Sequence, residues 1–254
     1  MKFIGIIPAR YASSRFPGKP LAKIGELTMI ERVYRQASKE LDDVVVATDD
    51  SRIFDAVTAF GGKAVMTSDS HRSGTDRCRE AYANLGSTAD VIINIQGDEP
   101  FIAPEQIASL KECFNDTSVT IATLARRFDP SKGFEALFDP NTPKVVIDDD
   151  SNAIYFSRSI IPYVRNYPWQ EWLDHATFHT HVGLYAYRAT TLDEITGLPQ
   201  SSLELAESLE QLRWVQNGYK IRVAITDRPT IGIDTPEDLQ AAIDYLKTLD
   251  NENA

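Results

Sequence analysis

The chain has 254 residues, 43% of them hydrophobic, and a formal net charge of −11, a length and apolar content that suit one large core or two small ones, with a single unit over residues 1–254 the default expectation. Such an acidic balance excludes general nucleic-acid binding, which needs many Lys and Arg to neutralise backbone phosphates. No apolar run approaches the ~20 residues of a membrane helix, and MKFIGIIPARY lacks the pattern of a secretory leader, so a soluble cytoplasmic protein without membrane partners is expected. Cys78 and Cys113 show no paired spacing and read as isolated hydrophobes rather than a disulfide framework.

The first element is FIGII at residues 3–7, a continuous β-branched run that reads as a strand buried on both faces. Directly after it comes PARYASSRFPGKP, which holds Arg10, Arg15 and Lys19 and no acidic residue. Met29, Val33, Ala37 and Leu41 then recur at helical spacing, VVVAT at 44–48 is the next strand, and Ile53, Val57 and Phe60 mark a helix. KAVM reads as a strand, Cys78 to Leu85 as a helix, VIINI at 91–95 as a strand, and Ile107, Leu110 and Phe114 as a helix. Repeated crossovers of this kind predict an α/β fold of three layers, α/β/α, around a mostly parallel open sheet, with ligands at the carboxyl ends of the strands.

The pattern changes past residue 119. TIATLARRF, KVVID and AIYFSR read as strands with a hairpin around DDDSN, which predicts an antiparallel insertion over about 120–190. Widening of the sheet, cover for a site and a dimer contact are all open to it. A helix over 203–217, the strand YKIRVAIT and a helix opened by Thr235, Pro236 and Asp238 complete the chain.

Six segments invite chemistry, each with a plainer reading. The basic loop is placed to hold a polyphosphate through Arg forks and the Lys19 point charge, with Gly18 free to take a positive φ or let backbone approach a ligand. Alternatively, its prolines simply set a rigid solvated turn. In NIQGDEPFI, Gln96, Asp98 and Glu99 follow a buried strand, and such carboxylates suit Mg²⁺ bound with substrate phosphates, unless the segment is merely a turn. Asp234 in GIDTPEDL offers a second carboxylate but also suits a helix start. HRSGTDR presents Ser73 and Arg77 before a helix, to read a base or sugar or to form a cap. His175, His179 and His181 in HATFHTH lack a grouped Cys or acidic ligand, so zinc is set aside in favour of a substrate-binding or merely packed histidine. In LELAESLEQLRW, Glu207, Glu210 and Gln211 fall on one helical face, either facing a crevice or solvated.

PARYASSRFPGKPL, VVVATDD, HRSGTDR, NIQGDEPFI, YFSRSIIPY, HVGLYAYR, LELAESLEQLRW and GIDTPEDL, in this order and across nearly the whole chain, resemble the 3-deoxy-manno-octulosonate cytidylyltransferase (CMP-Kdo synthetase) family. Looser forms of several motifs occur in CMP-sialic acid synthetases, whereas QGDEP, YFSRS-x-IPY and LEQLR together look specific to the Kdo enzymes. Ser14 stands where threonine is more usual and Phe16 where leucine is frequent.

The resemblance implies a nucleotide-diphospho-sugar transferase-like fold and transfer of CMP from CTP to Kdo for lipopolysaccharide biosynthesis, by a magnesium-dependent homodimer. It assigns the triphosphate to Arg10, Arg15 and Lys19, the cytidine to Ser73 and Arg77, and magnesium to Asp98 and Asp234, with Lys19, Asp98 and Asp234 in the chemistry. Gln96, Arg158, His181, Tyr185, Glu210 and Gln211 fall to the sugar acid. Three rivals stay open: a cytidylyltransferase for another octulosonic or nonulosonic acid, a CTP sensor without turnover, and a glycosyltransferase of the same fold.

Overall fold

The structure, a computed structural model, describes residues 1–12 and 15–252; Ser14, compared above with threonine, lies outside the described residues. The chain divides into two compact units, one formed by Met1–Ala108 with the segment from Pro229 onward, the other by Ser109–Arg228.

The first unit opens with β1 (Phe3–Ala9), in which Ile4, Ile6 and Ile7 are fully enclosed, as a strand covered on both faces requires. The short ribbon β2 (Lys23–Ile24) and β3 (Leu27–Thr28) leads into α1 (Met29–Ala37), where the Thr28 hydroxyl caps the Glu31 amide. Its buried face is Met29, Ile30, Val33 and Ala37. Leu41, which the spacing places on this helix, lies beyond its end but is still buried. Then come β4 (Val44–Thr48), buried at every position, α2 (Ser51–Ala59), β5 (Ala64–Met66), α3 (Gly74–Asn84), β6 (Val91–Asn94) and α4 (Pro104–Cys113).

The helix expected from Cys78 in fact starts four residues earlier, because the Ser73 hydroxyl accepts the Asp76 amide and so closes the first turn. Within this unit the strands run β6-β1-β4-β5 with every pair parallel. Ile6 pairs with Asn94, so the loops leaving β1 and β6 emerge side by side.

In the second unit β7 (Ile121–Arg127) is followed by the hairpin β8 (Lys144–Ile147) and β9 (Ala153–Ser157), an antiparallel pair closed around 148–152 as the turn residues predict. A short helix α5 (Trp172–His175) precedes β10 (His179–Arg188), which pairs antiparallel with β7 and β8. The helices α6 (Ala189–Thr196), α7 (Ser202–Glu207) and α8 (Gln211–Gln216) lead to β11 (Arg222–Ile225), parallel to β7. Phe128, Phe134, Leu137, Trp172 and Phe178 form a hydrophobic, mostly aromatic cluster within the insertion.

The single helix expected over 203–217 is corrected here to two. Ser208 takes a left-handed φ of 51° between α7 and α8, and Glu207 therefore leaves the face that carries Glu210 and Gln211. The chain then returns to the first unit and ends in α9 (Pro236–Glu252). No helix among the described residues is long and apolar enough to cross a membrane.

Candidate active site

In the first unit a cleft of about 280 Å³ opens at the carboxyl end of β1, and the basic loop, the 71–74 turn, the 96–98 turn and Asp234 line it. Two glycines set the paths of the loops that form it. Gly18 has φ 73° and donates its amide to the Tyr11 carbonyl, folding the basic loop back on itself ahead of a 3-10 turn at Lys19–Leu21. A Cβ on Gly97 would sit 2.9 Å from the Pro8 carbonyl oxygen, so only glycine lets the β6 loop pass so close to the end of β1. The close approach brings Asp98 to the basic loop.

Lys19 is the centre of this arrangement. Its Nζ, on a side chain only 14% exposed, donates to Asp98 Oδ2 at 2.7 Å and to Asp234 Oδ1 at 3.2 Å. Arg15 Nη2 lies 3.1 Å from Asp234 Oδ2. Asp234 is held by the start of α9: its amide and that of Thr235 donate to Asp238 Oδ2, while the Asp238 amide returns a bond to Thr235 Oγ1. The Ile233 amide donates to the Asp98 carbonyl at 3.0 Å, so backbone stitches the two aspartate segments together. Arg10 is exposed and lines the same cleft.

Ser73 and Arg77 have structural duties that a one-dimensional reading does not reveal. Ser73 caps α3, and Arg77, 4% exposed, donates to Thr67 Oγ1 at 2.7 Å and to Asp49 Oδ2 at 2.9 Å. Both residues still line the cleft wall. Asp49, which sequence reasoning passed over, had a signal in the pair of aspartates after VVVAT. Tyr11 was also missed; its ring carries the Arg52 guanidinium 3.3 Å from the centroid.

Two hard carboxylate oxygens that converge on one cation, in a cleft with room for phosphate, match the donor chemistry of Mg²⁺. The Lys19 ammonium occupies the point where these two oxygens converge. Glu99, next in sequence, is half-buried, and its Oε2 has no hydrogen-bond partner among the described residues. Burial, with the Asp98 carboxylate adding, pushes its pKa up from 4.5 to about 8. A carboxyl group with a raised folded pKa binds its proton more tightly in the native state, so stability falls as pH rises from 4.5 towards 8. Glu99→Gln therefore gains on the parent protein over this window. Urea midpoints measured at pH 5 and pH 8 check this, and equal pH slopes for the two proteins would contradict it.

In the second unit the remaining residues are anchored by contacts distant in sequence. Arg158, at the end of β9, donates Nε to the Glu207 carbonyl, Nη1 to the Pro140 carbonyl and Nη2 to the Ser208 carbonyl. Two of the five N–H donors of a guanidinium remain beyond those three bonds. Glu207 accepts Ser157 Oγ at 2.6 Å and the Arg158 amide at 2.9 Å, which is where its carboxylate goes once the helix breaks.

His181 and Tyr185 project from β10 with ring centroids 5.3 Å apart, and Thr123 Oγ1 lies 3.0 Å from His181 Nε2. Burial pushes His181 down to about 3, which keeps it neutral at physiological pH. Burial and then the Glu210 carboxylate push the Tyr185 phenol well above its ordinary range. Glu210 and Gln211 stand at the start of α8. A bulge between Val182 and Tyr185, filled by the Thr123 hydroxyl bonding the Val182 and Leu184 carbonyls, was not foreseen, although Gly183 was its signal. His175 stacks on Tyr167, away from the strand of the other two histidines. Gln96 belongs to the first unit and lines its cleft. A larger cavity of about 740 Å³ in the second unit has Arg158 and the exposed rings of Phe138, Tyr163 and Trp169 in its lining.

The cytidylyltransferase family model matches residues 4–221. A 3-deoxy-manno-octulosonate cytidylyltransferase of Parabacteroides distasonis is 64% identical over 97% of this chain and 98% of its own length, and one of Bacteroides thetaiotaomicron is 60% identical over 97% and 99%. Among solved structures, CMP:2-keto-3-deoxy-manno-octonic acid synthetase complexed with CTP superposes with a TM-score of 0.90 at 42% identity, covering 98% of this chain and 99% of that one. A 4-diphosphocytidyl-2C-methyl-D-erythritol synthase from Anaerococcus prevotii shares the fold alone, with a TM-score of 0.62 at 17% identity over 97% and 99% of the two chains.

Proposed function

The chain belongs to the 3-deoxy-manno-octulosonate cytidylyltransferases, and from that premise we infer that it transfers CMP from CTP to the anomeric hydroxyl of Kdo, giving CMP-Kdo and pyrophosphate. The observation that carries this reading is the cleft of the first unit, where Arg10, Arg15 and Lys19 face Asp98 and Asp234 at the carboxyl end of a parallel sheet.

In the reaction the Kdo hydroxyl oxygen forms a bond to the α-phosphorus as the bond from that phosphorus to the β-phosphate oxygen breaks, and pyrophosphate departs. Both reactants are anions, so catalysis is chiefly positioning and charge stabilisation. Arg15 and Arg10 offer forked donors to the triphosphate oxygens, and Lys19 a mobile point charge. Gly97 and the Ile233 amide fix Asp98 beside that charge. Asp98 and Asp234 would hold magnesium, which supplies charge neutralisation at the phosphates and lowers the pKa of the attacking hydroxyl. Ser73, at the head of α3, and Arg77, braced by Asp49 and Thr67, form the wall assigned to the cytidine.

Kdo recognition is assigned to Gln96 and to Arg158, His181, Tyr185, Glu210 and Gln211. A neutral His181 suits a role as hydrogen-bond partner of sugar hydroxyls, and the donors left on Arg158 suit the Kdo carboxylate. Arg158→Ala is accordingly expected to raise KM for Kdo about 10- to 100-fold, the worth of a hydrogen bond to a charged group, with KM for CTP within about twofold. Steady-state kinetics with each substrate varied in turn would decide, and an unchanged KM for Kdo would remove the role. A place in lipopolysaccharide biosynthesis, a cytoplasmic location and a homodimeric state, each resting on the family membership, complete the proposal.

Pyrophosphate release with CTP, Mg²⁺ and Kdo, beside UTP, ATP and sialic acid and a metal-free control, tests the whole reading. Release confined to CTP, Kdo and metal supports it. Turnover of another sugar acid moves the pocket assignments, and silence with every acceptor favours a CTP sensor.

A further inference from the structure

Lys19 does more in this geometry than wait for a phosphate. Its ammonium lies within hydrogen-bond distance of one oxygen from each of the two carboxylates that the proposed function gives to magnesium. The backbone at that point is fixed: Gly18 holds φ 73°, Pro20 is buried, and the intervening residue begins a 3-10 turn. Five single bonds separate the anchored Cα from the ammonium nitrogen, so the side chain is the part able to move.

An ammonium and a divalent cation cannot share the same two oxygens. A hard dication would need them at metal-ligand distance, inside the space the ammonium fills, and the two positive charges would repel strongly in a cleft where Lys19 is mostly shielded from water. Arg15 adds a second, exposed cation on Asp234.

We propose that Lys19 is the internal counterion that keeps Asp98 and Asp234 converged and blocks a divalent cation from them until a triphosphate draws the ammonium away. The inference rests on the reading of Asp98 and Asp234 as the metal carboxylates. It makes Lys19 the residue that sets the order of binding: nucleotide first or together with its metal, never metal alone at full affinity. The lysine carries its charge from the carboxylates to the phosphate oxygens, and the carboxylates it leaves are already in place.

The test is binding rather than turnover. Mn²⁺, a hard dication with an EPR signal that distinguishes free from bound ion, is titrated into the full-length protein without nucleotide. Lys19→Met and Lys19→Gln are compared with the parent protein, the glutamine retaining a polar group for the carboxylates if the methionine fails to fold. Arg10→Met removes the same charge from the same cleft and reports the general electrostatic effect.

Freeing two carboxylates from a shielded ion pair is expected to tighten Mn²⁺ binding about tenfold or more in both Lys19 variants, and by less than about threefold in Arg10→Met. Unchanged or weaker binding in the Lys19 variants, or an equal gain in Arg10→Met, overturns the proposal. Asp98→Asn, titrated with CTP present, separates the two levels. If it abolishes Mn²⁺ binding while the Lys19 variants show no gain, the lysine inference alone is wrong. If Mn²⁺ binding with CTP is indifferent to Asp98, the metal assignment is wrong and the inference falls with it.

Discussion

Asp98→Asn is expected to lower kcat by about 10²- to 10³-fold at saturating CTP, Kdo and Mg²⁺, the scale on which a single lost electrostatic contact to the reacting centre is felt. Substitution by asparagine keeps the volume and one oxygen while removing the charge. The local chain path rests on backbone groups that asparagine leaves intact, namely the Ile233 amide on the residue 98 carbonyl and the close approach of Gly97 to Pro8. The fold therefore survives, and thermal unfolding should show a midpoint near that of the parent protein. Lys19 retains Asp234 as a partner, which limits the cost of the lost ion pair. Steady-state kinetics beside circular dichroism melting make the check, and near-normal turnover in the folded variant would contradict the role of Asp98.

Much of the first unit was legible because its strands are enclosed on both faces. FIGII, VVVAT and VIINI are continuous apolar runs for that reason, and the loops that follow them carry the polar residues. The meeting of the basic loop with Asp98 could be anticipated from their places after β1 and β6, that with Asp234 only from the family resemblance, and the hairpin of β8 and β9 from its turn residues.

What escaped the reading depends on partners far along the chain. Leu205, Leu209 and Leu212 keep helical spacing across 203–217, yet the helix breaks at Ser208 because Arg158, some fifty residues earlier, takes the Glu207 and Ser208 carbonyls, and Glu207 takes Ser157 and the Arg158 amide. Leu205 is consequently exposed while Leu209 and Leu212 are buried. Arg77 looked like a ligand-facing arginine, but Asp49 and Thr67, from the ends of two neighbouring strands, pair with it. Pairings of this kind leave no local period in the sequence.

The same break makes the second large effect one of stability. Glu204 and Arg213 face each other across the α7–α8 turn with side chains 7% and 9% exposed, Arg213 Nε donating to Glu204 Oε2 at 2.8 Å and Nη2 to Oε1 at 2.5 Å. Glu204 also closes a capping box with Ser201, so one carboxylate secures both the start of α7 and the body of α8. Arg213→Met leaves that carboxylate buried without its cation, and the expected loss is about 3–5 kcal/mol.

The pH dependence follows from the same pair. Burial pushes Glu204 up, but the hydrogen bonds from Arg213 and the Ser201 amide more than offset it, and the pKa is lowered overall. In the parent protein the pair therefore contributes stability above the unfolded carboxyl range, which is lost as pH falls through the lowered folded value. In Arg213→Met burial dominates and raises the pKa, so that protein weakens as pH climbs above about 4.5. The gap between the two proteins should accordingly widen from pH 4.5 to pH 7 in urea denaturation. Arg213→Met combined with Glu204→Leu, which removes both charges, should recover most of the loss. Because Glu210 and Gln211 stand at the start of α8, the surviving single variant should also show a raised KM for Kdo at unchanged KM for CTP. A double variant no more stable than the single one would mean that packing around Trp214 and Leu212, rather than the ion pair, holds α8 in place.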